Sequence, residues 1–160
     1  KVIFMPDKNL GSWAAEHISD KTFIIFEGYC PPHEEHMAID VALARERHPA
    51  ALLAVHPECR KEVRDMADFV GSTSQIIRHV SRIKHREFII GTESGILHPL
   101  RKQNPGIRFH MLSEAFLCRN MKKTGLGHLL HSLEHNTHEI EIDRALAEKA
   151  RRPLKRMLEI

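Results

Sequence analysis

Short apolar runs punctuate the first 112 residues of the chain, and the stretches between them repeat apolar positions at helical spacing. Residues 2–5, 22–26, 51–55, 69–70, 87–90 and 108–112 read as strands. The run at 22–26 is apolar almost throughout, which suits a strand covered on both faces. A helix is expected from about Lys8, capped by Asp7, with Leu10, Trp13, Ala14 and Ile18 on its inner stripe. A second runs from about 33 to 47 with Met37, Val41 and Ala44 facing inward, and shorter ones cover 60–66 and 96–102. Gly71-Ser72-Thr73-Ser74 opens a helix carrying Ile76, Ile77 and Val80. Beyond residue 118 the pattern is mainly helical, over 120–134 and 143–158, with a short extended piece at 139–142 and Asp143 as the cap of the last helix. Strand and helix alternating over short connections predict an α/β fold of right-handed parallel βαβ units, with helices on both faces of the sheet.

Short motifs rich in reactive side chains fall mostly at strand-to-helix junctions. GYCPPHE occupies 28–34, HPEC 56–59, GSTS 71–74, GTE 91–93 and CRNMKK 118–123. In an open parallel sheet such junctions lie outside the carboxyl ends of the strands, where ligands bind. One edge would thus gather thiols, imidazoles, carboxylates, hydroxyls and ammonium groups.

Composition narrows the classes. The chain has 160 residues, is 42% hydrophobic and carries a formal charge of +3, its basic residues mixed with acids. A nucleic-acid binder would show a one-sided basic face, and the cluster Arg151, Arg152, Lys155 and Arg156 has acidic neighbours and helix-spaced apolars instead. No apolar run approaches the ~20 residues needed to cross a bilayer. No nucleic-acid or membrane partner is expected, and a cytoplasmic location is. The chain opens at Lys1 directly into an apolar run, as if cut from a longer protein. An odd number of cysteines (Cys30, Cys59 and Cys118) argues against a disulfide framework, and their wide spacing against a zinc finger.

Individual residues suggest chemistry. His56 and Glu58 alternate along a segment stiffened by Pro57, so an imidazole and a carboxylate can be held together without a helix and can shuttle protons. Gly71-Ser72-Thr73-Ser74 offers N–H groups and hydroxyls at a helix N-terminus, suited to an anion. Lys122 and Lys123 follow Cys118 closely. These residues leave an anion- or partner-binding α/β module without catalysis open, and also a mononuclear metal hydrolase built on His33, His56 and Glu58.

GYCPPHE, HPEC, ADFVGSTSQII (67–77), FIIGTESGILH (88–98), NMKK (120–123) and MPDKNLG (5–11), followed by RPLKRMLE (152–159), together resemble quinolinate synthase, in the same order and over essentially the whole chain. The resemblance implies three similar three-layer αβα domains about a pseudo-threefold axis, incomplete here. On that scheme residues 1–21 end a preceding domain, 22–105 form a complete domain, and 106–160 are a C-terminal segment. It further implies a [4Fe–4S] cluster held by one Cys from each domain, with Cys30 and Cys118 as two of the ligands, the third outside this chain, and Cys59 not a ligand. Three thiolates leave one iron open as a Lewis acid. The implied reaction condenses iminosuccinate with dihydroxyacetone phosphate, losing phosphate and water to give quinolinate. His56 and Glu58 would be catalytic; His33, His56, Pro57, Glu58, Thr73 and Lys122 would meet substrate; an aspartate-oxidising enzyme would stand upstream. The N-terminal domain with the first cluster Cys, and the family's Tyr-x-Asn and Thr-Ser substrate segments that precede the region matched by MPDKNLG, are missing, so the 160 residues are expected to be incompetent alone. Gly125 stands where the family more often has a helix former, at a cost of ~1 kcal/mol at most.

Overall fold

The computed structural model describes residues 1–159, which divide into two compact units, 1–118 and the residues from 119 onward. In the first unit, β1 (Val2–Phe4) and β2 (Phe23–Ile25) pair in parallel, with Val2 opposite Phe23, and are joined by α1 (Lys8–His17). The Asp7 carboxylate caps α1 by accepting the Leu10 N–H at 2.8 Å. Ile18 does not join the inner stripe: it is the C-cap and stands 43% exposed. Nor is the 22–26 run covered on both faces among the described residues, because α1 packs on one side only and Ile3 and Ile24, paired in register, lie exposed on the other.

The expected 33–47 helix is two helices, α2 (Pro31–Glu34) and α3 (Ala38–Arg47). Pro31 and Pro32 fit the first helical turn, where the missing N–H costs nothing, so α2 begins early. The break then falls where Asp40 accepts the Met37 N–H at 2.8 Å and restarts the helix. Met37 is therefore the exposed N-cap of α3 and not an inward residue, whereas Val41 and Ala44 are buried as expected.

Four strands follow: β3 (Leu52–Val55), β4 (Phe69–Val70), β5 (Glu87–Gly91) and β6 (Arg108–Met111). Between them lie α4 (Lys61–Asp65), α5 (Thr73–Arg82) and α6 (Leu97–Gln103). All pairs are parallel and the order across the sheet is β4-β3-β5-β6. Alternate residues feed two cores. Leu53, Val55 and Ile89 pack with Val41, Ala44, Val63 and Phe116 on one face; Ala54, Phe88 and Ile90 pack with Ile76, Val80 and Leu100 on the other. The sheet is thus the middle of three αβα layers. Strand pairing places β2 with β1, and β6 with β5. Because β3 connects outward to β4 and β5 outward to β6, the strand order reverses between β3 and β5, and a crevice is expected outside their carboxyl ends.

The second unit contains α7 (Leu126–His135) and α8 (Arg144–Met157). The expected helix at 120–134 starts later, because residues 119–125 form turns and Gly125 is the N-cap. The extended piece at 139–142 finds no strand partner among the described residues. Asp143 caps α8 through the Leu146 N–H at 2.9 Å. Neither helix contains a buried residue.

Candidate active site

The residues that end β3 and β5 meet at the reversal point. His56 follows β3 directly, its N–H bonded to the Gly91 carbonyl at the end of β5. Gly91 permits this approach, since a Cβ there would stand 2.8 Å from Val55 Cγ1. The GYCPPHE segment crosses the same opening and is tied to the first sheet. Asp7, 2% exposed, accepts both the Leu10 N–H and the Cys30 N–H, the latter at 2.7 Å. The Gly28 carbonyl accepts the Lys8 N–H, and a Cβ at Gly28 would lie 2.6 Å from the Pro6 carbonyl oxygen, which only glycine tolerates.

Cys30, His33 and Glu58 converge here, each offering a ligand atom within 4.8 Å of the others. His33 is buried, with Nδ1 3.2 Å from Glu58 Oε2 and Nε2 3.0 Å from the Thr92 hydroxyl. The Glu58 carboxylate and the Thr92 hydroxyl thus flank the His33 ring at its two nitrogens. His56 stacks on His33 with ring centroids 4.9 Å apart, and its Nδ1 accepts the Glu58 N–H at 3.3 Å. That bond leaves the neutral ring's proton on Nε2. Phe116 closes the inner wall, edge-on to His33 at 5.7 Å and stacked on His36 at 3.9 Å.

The electrostatics follow from these contacts. His33 beside it holds the Glu58 carboxyl below the usual carboxylate range, against the opposing effect of burial. Burial, reinforced by the neighbouring His33, pushes the His56 imidazole down, so His56 is neutral at pH 7. Burial and then the Glu58 carboxylate push the Cys30 thiol up to about 11. A cation bound at Cys30 would reverse that shift and hold the thiolate. Cys59 differs in kind: it is fully buried, its thiol points to the Gly91 carbonyl at 3.4 Å, and it is pushed up to about 12.

The other expected residues are placed as follows. Pro57 is buried and its carbonyl accepts from Arg64 at 3.0 Å. Thr73 is exposed in the first turn of α5, on the same sheet edge, since Gly71 is bonded to Val55. The neighbouring Ser72 hydroxyl accepts from the Gln75 N–H while the Gln75 side chain accepts from the Ser72 N–H, a reciprocal cap. Cys118 is half-buried at the end of the first unit, two residues past Phe116, and is not in the Cys30 group. Lys122 lies in the turns of the second unit.

Three residues escaped the sequence reading. Thr92 gives no sign of a role in the sequence, yet the residue is 1% exposed and its hydroxyl bonds His33. Asp7 carries a cap signal, but nothing in the sequence shows that it also holds Cys30. Arg64 is 4% exposed and reaches the Asn9 and Pro57 carbonyls and the Ser12 hydroxyl, clamping the HPEC junction onto α1. A charged residue in a short helix gives no sign of that role.

The quinolinate synthetase A protein family model matches residues 1–159. Quinolinate synthase from Caldicellulosiruptor saccharolyticus is 48% identical over the whole chain, which covers 53% of that relative. The enzyme from Methanoregula boonei is 49% identical over 158 residues, covering 99% of this chain and 52% of the relative. That from Clostridioides difficile is 43% identical over 150 residues, 94% of this chain and 49% of the relative. The chain therefore spans about half the length of the curated relatives it matches. With β3 and β5 presenting HPEC and GTE at one crevice and the family's pattern running from residue 1 to 159, this chain belongs to the quinolinate synthetase A family.

Proposed function

We propose that this chain forms part of a quinolinate synthase, one that condenses iminosuccinate with dihydroxyacetone phosphate and eliminates phosphate and water. The observation that carries this reading is the convergence of Cys30, His33 and Glu58 where the strand order reverses, with His56 stacked beside them.

The residues fit a [4Fe–4S] cluster in their donor chemistry. Cys30 is half-buried and its side chain makes no capping bond, so its sulfur is available, while the Cys59 sulfur is enclosed and directed at a carbonyl. Cys30 and Cys118 would be two of three thiolate ligands, the third coming from the half of the relatives' length that this chain does not cover. A cluster held by three thiolates supplies a Lewis-acidic iron for substrate oxygens.

This chain's own residues do the rest. Glu58, ionised and paired to His33, accepts protons from the carbon or nitrogen acids of the condensation. His56, neutral with its proton on Nε2, donates a hydrogen bond to a developing oxygen anion. Thr92 and Glu58 hold His33 from both sides, fixing its plane against His56. Both substrates are anionic, and Thr73 with the N-terminus of α5 offers hydroxyl and N–H donors for a carboxylate or phosphate. Lys122 would neutralise a second anionic group. The exposed apolar residues Ile3, Met5, Ile24 and Phe26 on the first sheet, and Leu126, Leu133 and Leu146 in the second unit, fit a chain that needs further protein to cover them. Strand pairing crosses the expected 21/22 and 105/106 boundaries, joining β1 to β2 and β5 to β6. That the chain contributes parts of three similar domains nonetheless belongs to the same proposal. So does a cytoplasmic setting, fed by an aspartate-oxidising enzyme; no helix among the described residues is long and apolar enough to cross a membrane.

Anaerobic reconstitution of the full-length protein with iron and sulfide tests the reading. Wild type and Cys59→Ser are expected to take up four iron and four sulfide and to form quinolinate; Cys30→Ser and Cys118→Ser are expected to lose both. Absence of iron uptake by wild type, or cluster loss confined to Cys59→Ser, overturns it.

A further inference from the structure

We propose that His48, Glu87 and His110 form a binding site for a divalent transition-metal ion of the zinc class at the amino-terminal edge of the four-stranded sheet. The three residues come from different elements: His48 is the C-cap of α3, Glu87 opens β5, and His110 lies in β6. Glu87 sits at the opposite end of β5 from the Cys30 and Glu58 group, about 13 Å along the strand from Gly91.

The fold brings these residues together by register. Glu87 faces Arg108 and Ile89 faces His110 in the β5–β6 pair, so Glu87 and His110 share one face of the sheet. The end of α3 packs on that face and lays the His48 ring against the His110 ring, 3.6 Å between centroids and 15° between planes. Glu87 Oε1 is 2.8 Å from His110 Nε2 and 4.0 Å from His48 Nδ1, and the three ligand atoms all lie within 4.8 Å of one another. Zinc bonded tetrahedrally at about 2.0–2.2 Å sets its ligands about 3.4 Å apart. The observed separations bracket that value, so side-chain rotation alone can close the site.

The donor chemistry selects the ion. Two imidazoles and one carboxylate suit zinc, cobalt, nickel or copper; calcium and magnesium prefer an all-oxygen shell. The side chains are 29% (His48), 14% (Glu87) and 26% (His110) exposed, which shields the three ligands yet leaves a fourth position for water. Arg108 bonds the other carboxylate oxygen, Oε2, at 2.7 Å, and its side chain is 72% exposed. It orients Glu87 with Oε1 toward the two rings, and as a nearby positive charge it opposes the metal. Arg108 thus lowers the affinity of the site, and its removal raises it.

The experiment is equilibrium dialysis of the full-length protein against zinc, with cobalt as the spectroscopic probe. The parent is expected to bind one equivalent more than His110→Asn or Glu87→Gln, each checked for unchanged far-UV circular dichroism. Cobalt in that equivalent should give a nitrogen- and oxygen-ligand spectrum without a sulfur-to-metal charge-transfer band, which separates it from any metal held at Cys30. Arg108→Ala, a surface change that leaves folding intact, should bind zinc about fivefold more tightly. Equal zinc uptake by the parent and His110→Asn, or unchanged affinity in Arg108→Ala, overturns the proposal.

Discussion

The two ends of the four-stranded sheet carry nearly the same side chains in different settings. At the carboxyl end stand two stacked imidazoles and a glutamate, His33, His56 and Glu58; at the amino end stand two more and another glutamate, His48, His110 and Glu87. The rings are 4.9 Å apart at the first end and 3.6 Å at the second. Each end also carries an arginine. Arg64 is buried and grips main-chain carbonyls of two segments, whereas Arg108 is exposed and touches one carboxylate. The carboxyl end adds a thiol, a buried hydroxyl on His33 and the crevice made by strand reversal. Composition alone therefore does not distinguish the two ends; the elements that hold the residues do. A rigid backbone frame around a desolvated imidazole–carboxylate pair favours proton transfer, while a half-open cluster tied only by side chains favours binding an ion.

Arg64→Ala is the strongest test of that difference. It removes a buried cation and strands the Asn9 and Pro57 carbonyls, for an expected loss of about 3 kcal/mol in unfolding free energy. Because Pro57 sits between His56 and Glu58, turnover of the full-length enzyme should fall more than folded population accounts for. Chemical denaturation and kcat measured on the folded fraction check both parts. An effect no larger than a surface substitution would show that the HPEC junction is held by its strand alone.

Thr92→Val sharpens the same end more gently. Valine fills the space of threonine but cannot bond His33 Nε2, so a loss of about 1–2 kcal/mol is expected. The His33 Nε2 resonance should shift as its hydrogen-bond partner disappears, and kcat should fall with KM nearly unchanged, as for a positioning residue. Thr92→Ser, which restores the hydroxyl, should recover both. Unaltered His33 signals in Thr92→Val would leave Thr92 as packing only.

These predictions rest on features that were legible to different degrees. The parallel αβα order was readable because strand runs and helical spacing alternate cleanly from Val2 to Met111. Asp7 and Asp143 were readable as caps because the capping bond is local. Contacts between distant segments were not. Thr92 reaching His33 spans 59 residues, and Arg64 reaching Asn9 spans 55, so neither leaves a trace in local pattern. The break between α2 and α3 was missed because Met37 looks apolar and helix-competent, while the deciding contact is the Asp40 carboxylate on the Met37 N–H. The helices α7 and α8 were legible as amphipathic stretches, but their apolar residues, such as Leu126 and Leu158, remain exposed, so sequence pattern there identifies a helix without identifying what it packs on.

The buried histidines of the carboxyl end also shape the response to acid. Burial pushes His36 and His56 down despite nearby carboxylates, and His33 holds Glu58 down. A group depressed in the folded state contributes stability that is complete above its unfolded pKa and is lost as pH falls through the folded one. Stability should therefore decline as pH drops below about 6.5 and continue to decline through the carboxylate range. His36→Gln, which keeps a polar group against Phe116, should flatten the first part of that decline in urea titrations between pH 7 and 5. An identical slope in the variant would assign the decline to other groups.

The smallest effect is expected at the amino end. Arg108 is 72% exposed and pairs with Glu87 at 2.7 Å, a geometry in which solvent screening cancels most of the attraction. His110 already donates to the same carboxylate at 2.8 Å, so Glu87 keeps a partner when Arg108 is lost. Arg108→Ala should shift Tm by less than about 2 °C, and raising salt should erase even that. The contrast with Arg64→Ala is the point of the pair: one arginine is part of the frame and the other adjusts charge at its surface. A destabilisation in Arg108→Ala comparable to that in Arg64→Ala would mean that the amino-end cluster is itself a structural brace. Its histidines would then be held for packing, and the difference between the two ends would be one of exposure alone.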